Sequence, residues 1–220
     1  MDDEELSMHL YSICKEMNYV SQSRSEGARV SGAALVYGDA MVYDDARVYD
    51  DARVYGNADV YDNARVSGAA WVYGNAWVSG RARVFDNACV YGSAMVYDNA
   101  KVYDNARVSG YTRVYGDAMV SGDARVSGAA SVYGAALVYD DAMVYDDARV
   151  YGAARVSGCA EISGRVYGDA MVYGDAWVYG DARVYGDAWV FGNARVFGNV
   201  RGVKNVCRRV DISNNIIGHN

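Results

Sequence analysis

Five cationic side chains, Arg29, Arg47, Arg65, Arg83 and Lys101, recur at a constant interval of 18 residues in a chain of 220. Gathered on one surface they would repel one another. An anionic partner such as a phosphate, a glycan or a carboxylate would relieve that repulsion through charge-assisted hydrogen bonds. The same row also reads as an ordinary solvated face balanced by acids on neighbouring edges. A second set, Tyr43, Tyr61, Tyr97, Tyr115, Tyr133 and Tyr151, keeps the same interval, with Ser79 filling its one gap. Beside Met41, Trp77 and Met95 it could make a flat contact strip for a protein partner or a second copy, since Trp and Tyr anchor interfaces. A carbohydrate platform is a further use of such a strip, and so is simple packing over a backbone ladder.

Other chemistry is poorly provided for. The only histidines are His9 and His219, close to the two ends, whereas a base working near neutral pH is normally a histidine or a carboxylate raised by burial. Acidic pairs such as Asp44-Asp45, Asp50-Asp51, Asp140-Asp141 and Asp146-Asp147 lack the nonapeptide spacing of Ca²⁺-binding repeats. Cys14, Cys89, Cys159 and Cys207 follow no metal-ligand spacing and read as free thiols of a reducing compartment. No catalytic residue, metal or cofactor is therefore expected. A net charge of −7 argues against direct nucleic-acid binding, although an acidic rod could imitate a nucleic acid towards a protein that binds one. The acidic start, Met1-Asp2-Asp3-Glu4-Glu5, is unlike a signal peptide. No apolar run approaches the roughly 20 residues of a membrane helix. A soluble, cytoplasmic protein without membrane contact is expected.

The elements that must carry these rows follow from a second, shorter period. From Ala28 to about Val200 the chain repeats a six-residue unit, Ala-x-Val-(Tyr/Ser/Phe)-(Gly/Asp)-x, in roughly 29 copies. A helix turns about 100° per residue and would scatter the valines around its axis. A short strand fits instead, with Ala and Val on one side and x and Tyr on the other. The following position is only ever Gly or Asp, two of the residues that best tolerate a left-handed backbone, so a corner is expected there. Strands of four residues with a bend every six, stacked coil on coil, make a parallel β-helix filled with Val and Ala. The absence of Pro agrees, because each stacked strand needs its N–H groups.

Val-x-Gly-x-Ala-x, as in Val114-Tyr115-Gly116-Asp117-Ala118-Met119, resembles the hexapeptide repeat of the left-handed β-helix proteins. The resemblance implies a left-handed, triangular coil of 18 residues, and hence an all-β solenoid of about ten coils, on the order of 45–50 Å long. It also implies, as an alternative function, an acetyl-CoA-dependent acyltransferase. Members with that activity use a histidine base and a loop thrown out of the coil, and the repeat here contains neither. Its base would have to come from a cap or a neighbouring subunit. The leading expectation is a non-enzymatic structural or protein-binding solenoid.

Residues 1–27 are expected to form an N-terminal cap helix and connector, with Leu6, Leu10, Ile13 and Met17 along one apolar side. Residues 28–198 are the β-helix and 199–220 an irregular C-terminal cap. Two defects stand out. Glu161-Ile162-Ser163-Gly164-Arg165-Val166 omits two residues of the unit and puts Gly164 in an inward slot. Thr112 likewise occupies a slot elsewhere held by Ala. If the shortening removes one corner, Tyr167 and Tyr185 continue the tyrosine row.

Overall fold

The computed structural model describes residues 27–197. The expected cap helix and C-terminal cap lie outside them. The chain runs through 29 short strands, from Arg29–Val30 to Arg195–Phe197, and no helix interrupts them. Each strand pairs in parallel with the third strand after it, giving sheets of 10, 10 and 9 strands. We call these the first, second and third faces; they begin at Arg29–Val30, Leu35–Val36 and Met41–Val42. The result is a parallel β-solenoid of nine full turns plus two strands of the next. Among the described residues no helix is long and apolar enough to cross a membrane.

Regular pairing is shorter than the four-residue expectation. In most units it covers only x and Val, as in Arg47–Val48. The tyrosine already belongs to the corner, because its carbonyl accepts the N–H of the Ala three residues on; Ala46 donates to Tyr43 at 3.3 Å. The corner position has positive φ throughout, at eight Asp and nineteen Gly, for example 56° at Asp44 and 71° at Gly32. Wherever a corner Asp precedes a corner Gly in the same row, the carboxylate does a second job. Asp50, Asp62, Asp98, Asp104 and Asp140 each accept the N–H of the corner Gly 18 residues later, at 3.0–3.2 Å. A backbone donor that the turn would leave without a partner is thereby satisfied.

Inside, the valines and alanines of the inward slots are fully buried from Ala46 to Val196. Each buried Val contributes about 1.5–3 kcal/mol of hydrophobic stabilisation. Two inward slots differ. Thr112 is buried and its Oγ1 has no hydrogen-bond partner. Gly164 is buried, and a Cβ there would lie 2.8 Å from the Ala182 carbonyl oxygen and 3.1 Å from Val178 Cγ1.

The shortened unit drops two residues but still turns the chain from the second face, at Glu161–Ile162, to the third, at Arg165–Gly168. Pairing shifts from an interval of 18 residues, as in Arg29↔Arg47, to one of 16, as in Arg149↔Arg165, Arg155↔Met171 and Glu161↔Trp177. It returns to 18 at Arg165↔Arg183. Val178 O accepts both the Ser163 N–H (2.8 Å) and the Gly164 N–H (3.0 Å), which holds the tightened bend against the coil above.

Candidate functional site

The rows read from the sequence become real neighbours on two different faces. On the first face Arg29, Arg47, Arg65, Arg83 and Lys101 pair in unbroken register. Met119 and Leu137 continue that row.

Along the edge of the third face the phenol rings stack almost flat on one another. Tyr43 and Tyr61 lie 5.0 Å apart. Beyond Ser79 an unbroken column of six rings runs Tyr97, Tyr115, Tyr133, Tyr151, Tyr167 and Tyr185 at 4.8–5.1 Å. Tyr167 and Tyr185 join because the two-residue deletion is absorbed in the bend, so that Tyr151 pairs with Tyr167. Burial raises the phenols of Tyr97, Tyr133 and Tyr167 above their ordinary range, assisted by neighbouring rings. The guanidinium groups of Arg113, Arg149, Arg165 and Arg183 pull the other way.

Those arginines are a second cationic row, which the sequence reading missed. Arg149, Arg165 and Arg183 are consecutive partners only because of the 16-residue coil. A count of 16 across Ile162 would have revealed them. Two recesses open beside the row. One, of about 460 Å³, is lined by Tyr111, Arg113, Arg149 and Arg165; the other, of about 290 Å³, by Ser163, Arg165, Asp181 and Arg183. Asp147 borders both, so neither is purely cationic.

The lower part of the third face is different. Met41, Asp59, Trp77 and Met95 follow one another in register beside Tyr43, Tyr61 and Tyr97. Met41 is 40% and Trp77 47% exposed. Asp59 sits between them, and desolvation raises its carboxyl above the usual range.

On the second face Tyr37, Tyr55, Tyr73 and Tyr91 stack at 4.8–5.0 Å. Burial, followed by the adjacent phenols, pushes Tyr55 up to about 12. Here arginines lie on aromatic faces one rung away: Arg53 over Trp71 at 4.9 Å and Arg195 over Trp177 at 4.7 Å. Cys89 and Cys159 are free thiols, and burial raises the former. Among the described residues no three His, Cys, Asp or Glu side chains are grouped to hold a metal ion.

Three parallel faces, a Val/Ala interior and glycine or aspartate corners define a parallel β-solenoid repeat protein. Its repeats match the family model of the YdcK beta solenoid repeat over residues 46–58, 60–74, 100–116, 112–128, 118–134, 142–158, 165–180 and 176–191. No curated protein matches the chain.

Proposed function

We propose that the protein is a non-enzymatic scaffold, a left-handed solenoid that pairs with a second copy of itself through the third face. The left hand is supported by the likeness of the six-residue unit to the hexapeptide repeat. The observation that carries the pairing is the division of the third face into two unlike halves. The lower half offers Met41, Trp77 and a partly desolvated Asp59. The upper half offers Arg149, Arg165 and Arg183 beside a wall of phenol rings.

A twofold axis across the middle would lay each lower half on the other copy's upper half, as an isologous interface requires. Guanidinium over Trp77 would repeat a contact this chain already makes at Trp71 and Trp177. A face about 40 Å long and about 16 Å wide covers roughly 650 Å² on each copy, or about 1,300 Å² together, within the range of specific interfaces.

Light scattering on a sizing column tests this. Wild-type protein is expected at twice the chain mass at micromolar concentration, and Trp77→Ala at the chain mass. A strict monomer throughout, indifferent to Trp77→Ala, would overturn the proposal.

A further inference from the structure

Along the edge of the first face the aromatic column is broken at four rungs by serine: Ser31, Ser67, Ser121 and Ser157. The side chain two residues earlier in the strand points to the same outer side. At three of these rungs it is an arginine: Arg29, Arg65 and Arg155. At Ser121 it is Met119. The surroundings of Ser67 and Ser121 otherwise correspond. Each is flanked by an aromatic ring on both neighbouring rungs, Tyr49 and Phe85 or Tyr103 and Tyr139, and by corner aspartates, Asp50 and Asp86 or Asp104 and Asp140. So among the serines that interrupt the rings, an arginine stands two residues earlier at Ser67 and Ser157, and an uncharged methionine at Ser121.

That rung is also a cavity. A recess of about 320 Å³ opens over Ser121, between Tyr103 and Tyr139, with Met119 and Leu137 on one side and Asp104 and Asp140 on the other. Ser121 forms its floor at 9% exposure. The two rings stand two strand spacings apart, about 9.6 Å, so a flat group placed midway is about 4.8 Å from each. In this chain a guanidinium already lies over an aromatic face one rung away, at 4.9 Å for Arg53 on Trp71 and 4.7 Å for Arg195 on Trp177. Asp104 and Asp140 each use Oδ2 on a glycine N–H, which leaves Oδ1 for a ligand. Lys101 pairs with Met119 one rung below and takes no part in the lining.

We propose that this recess is a receptor site for an arginine side chain presented by another polypeptide. The guanidinium lies between Tyr103 and Tyr139, held by cation–π contact and by the two carboxylates. The aliphatic stem runs along Met119 and Leu137. An ammonium ion fits less well, because it lacks the flat faces that both rings can cover. The site is on the first face and is independent of pairing through the third.

Nα-acetyl-argininamide titrated into protein carrying ¹³C-methyl methionine tests the site, with the Met119 methyl resonance as reporter. A saturable shift is expected, with the lysine counterpart binding about tenfold more weakly. Ser121→Tyr restores the repeat's usual ring, fills the gap and abolishes the shift. The double variant Asp104→Asn, Asp140→Asn keeps the rings and weakens binding by about tenfold. A Met119 methyl that does not move, that moves equally in Ser121→Tyr, or that responds equally to both amides would overturn the proposal.

Discussion

Gly164→Ala sets two opposing effects against each other. The backbone at Gly164 is outside the left-handed region, so alanine is conformationally allowed there. Through the unfolded chain alone the change would stabilise by about 0.4–1 kcal/mol. The new methyl, however, would stand 2.8 Å from the Ala182 carbonyl oxygen and 3.1 Å from Val178 Cγ1. Neither neighbour can easily retreat. The Ala182 carbonyl accepts the Arg165 N–H at 2.8 Å, and Val178 is tied by the two N–H groups of Ser163 and Gly164. Overpacking of this kind costs about 1–3 kcal/mol, leaving a net loss of about 1–2 kcal/mol. Coils of a solenoid touch only their neighbours, so the loss should be local. Native-state hydrogen exchange is the suitable assay. The amides of Arg149 and Arg165, which bond across this bend, should exchange about tenfold faster, while those of Arg47 and Arg65 keep their wild-type rates. Unchanged or slower exchange at Arg149 and Arg165 would show that the bend has room for a methyl, and the packing argument would fail.

Thr112→Val keeps the shape of the side chain and removes a buried hydroxyl that has no partner; a gain of about 1–2 kcal/mol in denaturant unfolding is expected. In spectrophotometric titration Tyr55 and Tyr73 should ionise late, Tyr55 near 12 against an ordinary 10.0. Because the folded phenol holds its proton longer than the unfolded one, the stability it contributes is complete below pH 10 and falls as pH rises through that window. Asp59 also has a raised folded pKa, so its contribution is present at low pH and lost as pH rises through that value. Asp59→Asn should flatten this part of the stability–pH curve measured by thermal unfolding.

The solenoid is legible in the sequence because each coil solves the same two problems with the same residues. The interior needs Val and Ala at fixed offsets, and the corner needs a residue that accepts positive φ. Ser121 read as an ordinary occupant of the Tyr/Ser/Phe slot and Thr112 as a deviation, and the meaning of neither was legible. The first depends on which rings and acids lie one rung away, the second on whether a hydroxyl finds an acceptor. The carboxylate-to-glycine bonds at the corners depend on side-chain rotamers, which a pattern of residue types does not contain. The third-face arginine row was hidden for a different reason: a bend shorter by two residues changes the interval from 18 to 16, and a constant count slides past it. Asp59 looked like any other outward residue until Met41 and Trp77 were seen on either side of it.

The strands of each face are tied only to those one coil before and after, and this dictates how the molecule would yield if pulled lengthwise by its ends. Tension would peel it from a terminus, one winding at a time, instead of rupturing it as a block. Each 18-residue winding would release about 60 Å of contour length, and the single 16-residue winding would give a step shorter by about 7 Å. The tightened bend thus writes a position marker into an otherwise uniform force–extension trace.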